Sequence, residues 1–519
     1  MCKTKIVATL GPASQSREVI TELFRAGVSV VRLNFSHGTA QQHIQTAELV
    51  REIACEQQLN VGVLVDLQGP KIRISSFEDQ SVDLEKGQTF FLDAQHPADK
   101  GNRERVGLDY PELIKDLNVG HVLLLDDGRV QLEVTAIDSD GQWAKTTVLN
   151  QGKLSNRKGI NLLGGGLSAP ALTEKDKQDI HTAARLNADF IAVSFPRNGQ
   201  DIHYARKLVQ QAGCHAQIVA KVERAEIVES DENMDDVIAA SDIIMVARGD
   251  LGVEIGDARL PNVQKRLIKR AKLAGKPVIT ATQMMESMIE NPIPTRAEVL
   301  DVANAVIDGT DAVMLSAESA AGKYPIEAVR SMVRIASGAE QDPYEPHSHW
   351  DELEHLCKRV NQTQNGTNTT STGQAKIDPN KSFAISSMIS ASNTNQALGV
   401  VILTKDGQTP LLMSRCMTNS IVWALSDNRA LLKKLSILRG VVPVFFEASE
   451  QNQSDLNERI KGLLSKRARA LGMDALLVAQ LEGIENVGAI NACWLIDLNE
   501  CKQENEELVA TQPAVLVKV

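Results

Sequence analysis

Residues 217–250 read QIVAKVERAEIVESDENMDDVIAASDIIMVARGD, in which two short apolar runs flank a longer segment with helical periodicity. Short β-branched runs are typical of buried strands, and their alternation with helices predicts parallel βα units. Six further runs of this kind occur. Together, the eight runs begin at Lys5, Val30, Val61, Phe190, Gln217, Ile243, Pro277 and Ala312. Because eight βα units close a (β/α)8 barrel, we predict an α/β fold of the TIM-barrel type.

A long interval of different character separates the third run from the fourth. Its segments alternate apolar and polar residues at period two, as in HVLLLDDGRVQLEVTAI from His121, and show little helical periodicity. The interval is too long to be a loop. We therefore predict an inserted all-β domain over residues 68–168, in the form of a β-barrel that covers the main barrel as a lid. The main barrel would then comprise residues 1–67 and 169–345.

The return from this insert to the barrel contains three consecutive glycines, Gly164 to Gly166. Glycine has no β-carbon and adopts backbone angles that other residues avoid, so this segment does not fix the angle between the two domains. The insert is therefore expected to be a mobile lid. An ordinary surface turn, however, would have the same glycine content.

Beyond the barrel, residues 346–381 are predicted to be a linker or polar loop, because Asn361 to Asn380 are polar and low in complexity. From residue 382 onward, apolar runs again alternate with helical stretches. The runs are VVILTK, SIVWALS, VVPVFF, ALLVAQ and INACWLID. This alternation predicts a C-terminal α/β domain over residues 382–519.

Composition and charge exclude several classes of protein. The chain of 519 residues is 43 % hydrophobic and 23 % charged, which is typical of globular proteins. Its 55 basic and 66 acidic residues give a net charge of −11, which disfavours nucleic-acid binding, and its scattered cysteines form no C-x-x-C pair. The apolar run from Ile6 to Leu10 is too short for a signal peptide, and no stretch approaches a membrane span. We expect a cytoplasmic protein that binds neither nucleic acid nor membranes.

Polar residues recur at the carboxyl ends of the predicted barrel strands, where enzymes with this fold place their chemistry. These residues are Arg32, Asn34, Ser36, Asp66, Lys221, Glu223, Arg248, Asp250, Thr282, Ser316 and Glu318. Two pairs, Lys221 with Glu223 and Arg248 with Asp250, are two residues apart and would share one side of an extended strand. Each residue alone is explained by a solvated turn or a helix cap. Their joint placement on one rim indicates a site for an anionic substrate and a divalent cation.

Glu223 and Asp250 follow neighbouring predicted strands. Mg²⁺ typically binds only one or two protein carboxylates and completes its octahedron with substrate oxygens and water. We therefore predict that this pair binds Mg²⁺. Lys221 would supply an ammonium group that stabilises negative charge on a transferring phosphoryl group or an enolate.

Several longer segments carry these rim residues and resemble one family. They are TKIVATLGPAS, VVRLNFSHG, VDLQGPKIR, Lys221-Val-Glu223, VARGDLGVEIG, ITATQMMESMIENPIPTRAEVLDVANAVIDGTDAVMLSAES and AGKYP. In these segments, which cover the predicted barrel almost end to end, the chain resembles the pyruvate kinases. The resemblance implies Mg²⁺-dependent phosphoryl transfer from phosphoenolpyruvate to ADP, giving pyruvate and ATP in the final step of glycolysis. It also implies a homotetramer and a C-terminal domain of regulatory type.

The resemblance implies a role for each rim residue. Glu223 and Asp250 would bind Mg²⁺, and the backbone at Gly249 and Asp250, with Thr282, would receive the substrate carboxylate. Lys221 would stabilise both the transferring phosphoryl group and the enolate.

On the same grounds, Arg32 would contact the phosphoryl oxygens. The enolate would be protonated through a hydroxyl and water network that involves Thr282, Ser316 and Glu318. The nucleotide side of the site would include Arg73, His37 and Asn34.

One departure from the family concerns K⁺. Many relatives hold this ion through positions that match Asn34, Ser36, Asp66 and Leu67, and those enzymes have a glutamate where this chain has Lys71. The ammonium group of Lys71 would supply the positive charge that K⁺ otherwise provides. We therefore predict that K⁺ is not required.

Two other interpretations remain open at this point. A Mg²⁺-dependent lyase or aldolase acting on an enolate would also need Lys, Glu and Asp on the rim, although the insert and the pair Arg32 and Arg73 favour transfer to a nucleotide. A catalytically silent relative that serves as a binding protein would keep the fold. Every rim residue that the chemistry needs is nevertheless present.

Overall fold

The closed barrel that the sequence predicts is formed by eight parallel strands. They are β1 (Lys5–Leu10), β2 (Val28–Asn34), β3 (Gly62–Asp66), β12 (Phe190–Val193), β13 (Gln217–Val222), β14 (Ile243–Ala247), β15 (Val278–Ala281) and β16 (Ala312–Leu315). Strands β4 to β11 belong to the insert described below. The barrel strands pair in chain order, and β16 closes on β1 with Lys5 opposite Ala312. The fold class is thereby confirmed.

The computed structural model describes residues 2–341, 379–392, 398–416, 418, 420–447, 453–480 and 492–498. Most of the predicted linker, residues 346–378, lies outside the described residues. The chain after residue 498 lies outside them as well.

Helices surround the barrel and connect its strands. They are α1 (Arg17–Ala26), α2 (Ala40–Glu56), α4 (Glu174–Arg185), α5 (Gly199–Gln211), α6 (Ala225–Glu229), α7 (Asp231–Ala240), α8 (Arg248–Ile255), α9 (Leu260–Leu273), α10 (Arg296–Ile307), α11 (Ala317–Ala320) and α12 (Pro325–Ala339), with 3-10 turns at Asp257–Arg259 and Glu286–Ile289. The start of α10 shows why these boundaries fall where they do. Thr295 Oγ1 accepts the Glu298 N–H at 3.3 Å, and Glu298 Oε2 accepts the Thr295 N–H at 2.7 Å, which is a capping box.

The insert between β3 and β12 consists of eight short strands and one helical turn, α3 (Leu113–Asp116). The strands are β4 (Ser81–Leu84), β5 (Thr89–Asp93), β6 (Arg105–Val106), β7 (Val122–Leu125), β8 (Val130–Ile137), β9 (Trp143–Val148), β10 (Gly152–Ser155) and β11 (Ile160–Leu162). They form a six-stranded sheet, β11-β7-β8-β9-β5-β6, and a two-stranded sheet, β10-β4. The edge strands β6 and β11 do not pair with each other, but Arg73 bridges to Gly159 beside β11 and Ile74 bridges to Leu108 near β6. The β-barrel form of the insert stays a prediction.

The C-terminal domain is a five-stranded sheet of order β19-β18-β17-β20-β21. Its strands are β17 (Leu398–Leu403), β18 (Val422–Ser426), β19 (Val441–Phe445), β20 (Ala475–Gln480) and β21 (Ala492–Asp497). Its helices are α13 (Pro379–Ser392), α14 (Gln408–Arg415), α15 (Arg429–Leu435) and α16 (Gln453–Ala470). All five strands that the sequence predicts are present, and only β21 is antiparallel to its neighbour.

The C-terminal domain covers the amino ends of the barrel strands. Asp311, directly before β16, forms an ion pair with Arg415 at the end of α14, and both side chains are buried. At the start of β1, Lys5 Nζ donates to the Val441 carbonyl at 2.6 Å. Because this end is covered, a substrate reaches the barrel from the opposite, carboxyl end of the strands. None of the helices in the described part of the chain combines the length and the hydrophobicity that a bilayer span requires.

Candidate active site

Lys221 lies at the carboxyl end of β13 and contacts side chains at the ends of two other strands, β3 and β12, and at the end of its own strand. Its Nζ is 2.7 Å from Ser194 Oγ, 3.0 Å from Glu223 Oε1 and 3.2 Å from Asp66 Oδ1. Only 12 % of the Lys221 side chain is exposed. The three oxygens hold the ammonium group in one position at the mouth of the barrel.

Burial and neighbouring charges shift the pKa values of this cluster in different directions. Burial works to lower the pKa of Lys221, but Asp66 and Glu223 outweigh it, so this pKa rises above its usual value. Burial works to raise the pKa of Asp66, but Lys221 and Arg32 outweigh it and lower this pKa. For Glu223, burial prevails over the nearby Lys221 and, with the negative charge of Asp250, raises the pKa to about 7. Lys221 is therefore a stable cation, whereas burial makes the charged form of Glu223 unfavourable even with Lys221 beside it.

The end of β12 supplies two contacts that sequence reasoning missed. Ser194 donates its hydroxyl proton to the Leu67 carbonyl at 2.7 Å and lies 2.7 Å from Lys221. The backbone N–H of Phe195 donates to Glu223 Oε2 at 2.8 Å. A serine at the end of an apolar run, as in FIAVSF, was the available signal. The backbone contact has no signature in the sequence, since any residue type could provide it.

Arg248 and Asp250 do not extend β14, because that strand ends at Ala247 and α8 begins at Arg248. The prediction that they share one side of an extended strand is therefore wrong. Arg248 contacts Asp301, with Nη1 2.7 Å from Oδ1, and donates to the Thr282 carbonyl at 2.7 Å. Asp250 instead lies beside Lys71, with 3.1 Å between Asp250 Oδ1 and Lys71 Nζ.

Thr282 is brought to the first turn of α8. Its Oγ1 accepts the Gly249 N–H at 2.7 Å and donates to the Ala281 carbonyl at 2.6 Å. The φ angles of Thr282 and Gln283 are +67° and +52°, in the left-handed region that a β-branched threonine seldom adopts. Such a conformation persists only when its surroundings hold it, and the Arg248 contact to the Thr282 carbonyl does so.

Glu223 and Asp250 fit a divalent cation. They are close enough for the charge of Asp250 to raise the pKa of Glu223, and each already has a lysine ammonium group within about 3 Å: Lys221 at 3.0 Å and Lys71 at 3.1 Å. Two carboxylates that repel each other are the hard oxygen donors that Mg²⁺ takes from a protein. Among the residues that the structure describes, no group of three or more His, Cys, Asp or Glu side chains could hold a metal ion, here or elsewhere, so the protein would supply only this pair.

Arg32 is fixed beside the Lys221 cluster. Its Nε is 2.7 Å from Asp66 Oδ2, and its Nη1 donates to Thr9 Oγ1 at 3.0 Å. The Arg32 side chain is 11 % exposed. Arg32 and Lys221 therefore place two cations on either side of one buried carboxylate, Asp66.

The positions that match a monovalent-cation site lie on the same side of the barrel mouth. Asn34 Oδ1 accepts the Ser36 N–H at 3.1 Å, and the Leu67 carbonyl accepts the Ser194 hydroxyl. In the described part of the chain, the ion-pair partners of Asp66 are Arg32 and Lys221, whereas Lys71 pairs with Asp250. The ammonium group of Lys71 thus lies next to the carboxylate pair rather than against Asp66.

Ser316 and Glu318 lie at the carboxyl end of β16. Glu318 is only 2 % exposed, and both of its oxygens accept backbone N–H groups: that of Ser316 at 2.8 Å and that of Met285 at 3.2 Å. Glu318 therefore joins the end of β16 to the loop that follows β15.

Of the three residues expected near a nucleotide, only His37 and Asn34 are joined by a hydrogen bond among the described residues: the His37 N–H donates to the Asn34 carbonyl at 3.3 Å. Arg73 lies in the insert, where its Nη1 donates to the Arg157 carbonyl at 3.0 Å. His37 is exposed, and its carbonyl accepts from His43 Nε2 at 2.8 Å. Among the described residues, no polar contact joins Arg73 or His37 to Lys221.

Comparisons with known proteins identify relatives over nearly the whole chain. A family model described as "Pyruvate kinase, barrel domain" matches residues 1–329, and one described as "Pyruvate kinase, alpha/beta domain" matches residues 383–493. The chain is 49 % identical over 496 residues to a pyruvate kinase of Haemophilus influenzae, covering 95 % of this chain and 98 % of the relative. It is 47 % identical over 499 residues to pyruvate kinase II of Salmonella typhimurium, with coverages of 95 % and 98 %.

A solved structure shows the same architecture. The crystal structure of a pyruvate kinase from Cryptosporidium parvum matches with a TM-score of 0.83 at 31 % identity, covering 96 % of each chain.

Proposed function

The chain belongs to the pyruvate kinase family, and from this premise we propose how its own residues carry out the reaction. It is a pyruvate kinase, a divalent-metal-dependent enzyme that transfers a phosphoryl group from phosphoenolpyruvate to ADP and forms pyruvate and ATP in the final step of glycolysis. Neither a lyase nor a silent binding protein finds support among its relatives. The observation that carries the residue assignments is the placement of Lys221 between Asp66 and Glu223, next to the carboxylate pair.

The metal ligands that we propose are Glu223 and Asp250, with Mg²⁺ as the ion. When bound, Mg²⁺ would neutralise this pair and polarise the substrate oxygens. The Phe195 N–H and Lys221 orient the Glu223 carboxylate, and the first turn of α8 orients Asp250. The chain therefore presents both ligands before the ion arrives.

Substrate binding follows from the groups around this pair. The carboxylate of phosphoenolpyruvate would lie against the first turn of α8 at Gly249 and Asp250. It would accept a hydrogen bond from the Thr282 hydroxyl group. Arg32 would contact the phosphoryl oxygens. Lys221 would stabilise the negative charge that develops on the transferring phosphoryl group and on the enolate, which is electrostatic catalysis by a fixed cation.

The last step is protonation of the enolate at carbon. Thr282 and Ser316 carry hydroxyl groups that would pass the proton through water. Glu318 would orient this network, since its oxygens hold the Ser316 and Met285 backbone.

On the nucleotide side we propose Arg73, His37 and Asn34. Arg73 belongs to the insert, Asn34 is the last residue of β2, and His37 follows that strand. Closure of the insert would bring Arg73 toward the rim and exclude the water that would otherwise attack the phosphoryl group.

Activity is tested by a coupled assay for pyruvate with phosphoenolpyruvate, ADP and Mg²⁺. The expected result is pyruvate formation that requires all three and yields ATP in equal amounts. No turnover would indicate a silent relative. Pyruvate release that is independent of ADP and yields inorganic phosphate would indicate hydrolysis of phosphoenolpyruvate and would contradict the proposed transfer.

We further propose that K⁺ is not required, because Lys71 adds a fixed cation beside the carboxylate pair. The enzyme is expected to keep its full kcat in a buffer free of monovalent activators. The variant Lys71→Glu, which removes this cation, is expected to become K⁺-dependent. Steady-state rates with and without KCl measure both effects, and tetramethylammonium chloride at equal ionic strength is the control. A large rise in the kcat of the unaltered enzyme on adding K⁺ would contradict the proposal.

A homotetramer is also proposed. Three large apolar side chains on or next to α10 are exposed: Ile293 at 70 %, Leu300 at 65 % and Ile307 at 48 %. A row of apolar residues on a surface helix is typical of a surface that is covered by a partner.

For the domain division we propose the ranges 1–67 and 169–345 for the barrel, 68–168 for the lid, 346–381 for the connecting region and 382–519 for the C-terminal domain of regulatory type. The strands of each described part fall within these ranges. A cytoplasmic location is the corresponding proposal for the cell, in keeping with the glycolytic reaction.

A further inference from the structure

Glu254 is a buried acid to which the reaction described above gives no role. It lies in α8, one helical turn after Asp250, and only 3 % of the residue is exposed. Burial raises its pKa to about 7. A buried carboxyl group is costly unless hydrogen bonds compensate it, so its partners indicate what it does.

The two oxygens of Glu254 have different partners. Oε2 accepts the backbone N–H of Ala225 at 2.9 Å, and Ala225 is the second residue after Glu223. Oε1 accepts from Asn161 Nδ2 at 3.3 Å, and Asn161 is a buried residue of β11 in the insert. One side chain on the helix of Asp250 thus contacts both the segment of Glu223 and the lid.

The segment by which the insert returns to the barrel is held at the same place. We call Arg224, Glu226 and Glu254 the hinge cluster. The Glu254 carbonyl accepts the Gly164 N–H at 2.9 Å. Glu226 Oε1 accepts the Gly166 N–H at 2.6 Å, and Arg224 Nη2 donates to the Leu167 carbonyl at 2.6 Å.

The backbone path of this segment favours glycine at all three positions. Gly164, Gly165 and Gly166 all have positive φ angles, of 90°, 80° and 101°. A β-carbon on Gly165 would come within 2.8 Å of the Glu226 carboxyl group. The return segment is therefore docked on the hinge cluster, and it follows the path that only glycine adopts without strain.

We propose that Glu254 is a positioning residue that sets the spacing between the Glu223 segment and the Asp250 helix and ties the lid to both. The proposal rests on the assignment of Glu223 and Asp250 as metal ligands. Its physical basis is that groups which orient metal ligands tune metal affinity although they do not touch the metal. The same carboxylate also accepts a hydrogen bond from Asn161, so Glu254 holds strand β11 of the lid against the helix of Asp250.

Two conservative variants separate the hydrogen bonds of Glu254 from its charge. Glu254→Asp keeps the charge but withdraws the carboxylate by one methylene group from Ala225 and Asn161. Glu254→Gln loses the charge but keeps an oxygen for the Ala225 N–H, and its amide N–H can donate to Asn161 once that side-chain amide rotates. A third variant, Asn161→Ala, removes the lid contact only.

The test measures Mn²⁺ binding to the full-length enzyme without substrate, by electron paramagnetic resonance of the free ion, together with amide hydrogen exchange over residues 160–168. Glu254→Asp is expected to raise the Mn²⁺ dissociation constant about 10-fold and to speed this exchange, whereas Glu254→Gln stays within about 3-fold of the unaltered enzyme in the dissociation constant. Asn161→Ala is expected to speed the exchange and leave Mn²⁺ binding unchanged.

Two outcomes would overturn the positioning role: unchanged Mn²⁺ binding in Glu254→Asp, or equal weakening in Glu254→Gln, which would assign the effect to charge. Glu223→Gln is the reference for the premise. If it binds Mn²⁺ as the unaltered enzyme does, the ligand assignment fails first, and the positioning role fails with it.

Discussion

Replacing Lys221 with methionine is expected to lower kcat by about 10³-fold, the effect of removing a group that stabilises charge in the transition state. Methionine has nearly the length of lysine but no charge, so the barrel mouth keeps its shape. Three oxygens within 3.2 Å hold the ammonium group in place. A cation from solution would not occupy this position in the same fixed way once the lysine is removed. Because the charge develops during transfer, kcat should fall much more than the KM for phosphoenolpyruvate rises.

A matched control for this variant is Lys5→Met. Lys5 is also a buried lysine of a barrel strand, but it lies at the opposite end, where its Nζ donates to the Val441 carbonyl. Its loss should cost about 1–3 kcal/mol of unfolding free energy and leave kcat close to that of the unaltered enzyme. Steady-state kinetics and thermal unfolding of both variants make the comparison. If Lys221→Met retained more than about a tenth of the activity, its assigned role would be wrong.

The second large effect is expected for Glu223→Gln. The amide has the shape of the carboxylate but lacks the negative charge that binds a hard cation, so the Mg²⁺ concentration for half-maximal activity should rise and kcat at saturating Mg²⁺ should fall about 10²-fold or more. The variant also removes a buried acid whose pKa is raised to about 7, so the fold should be no less stable at neutral pH. Titrations of the rate with MgCl₂ measure the shift.

Glu340→Gln is the corresponding control. Glu340 is a buried acid at the covered end of the barrel, where its oxygens accept the Lys3 and Thr4 backbone N–H groups at 2.8 and 2.6 Å. Its variant should keep the Mg²⁺ response of the unaltered enzyme. Equal Mg²⁺ curves for Glu223→Gln and the unaltered enzyme would exclude Glu223 as a metal ligand.

The strands of the barrel were predictable because burial on both faces leaves a clear apolar signature. Seven of the eight runs contain a whole barrel strand, and the run from Lys5 coincides with β1; the run from Val30 begins two residues after the start of β2. The run from Ile243 was predicted too long, since Arg248 and Asp250 open a helix. Strand β14 passes directly into α8, and no turn residues lie between the two elements. The alternation of polar and apolar residues therefore predicted a strand that continues three residues beyond its observed end.

The sequence predicted which strand ends meet at the site but neither Ser194 nor most of the contacts there. The sequence indicates that Lys221, Glu223 and Asp250 occupy one rim, because carboxyl ends of parallel strands meet there. It does not indicate that Lys71 pairs with Asp250, since the insert separates their segments along the chain and the angle between the domains sets that distance. Nor does it reveal the Phe195 N–H on Glu223, because backbone donors are present at every position except proline.

We propose that one divalent ion is bound at the mouth of the barrel by Glu223 and Asp250, with Lys221 beside this site. Crystals of the enzyme grown with Mn²⁺ and phosphoenolpyruvate, measured at the manganese absorption edge, locate the ion by its anomalous scattering. We expect one strong peak coordinated by the carboxylates of Glu223 and Asp250, with the Lys221 ammonium group beside the substrate phosphoryl group. A peak elsewhere in the barrel, or one that only a single member of the carboxylate pair coordinates, would contradict this proposal.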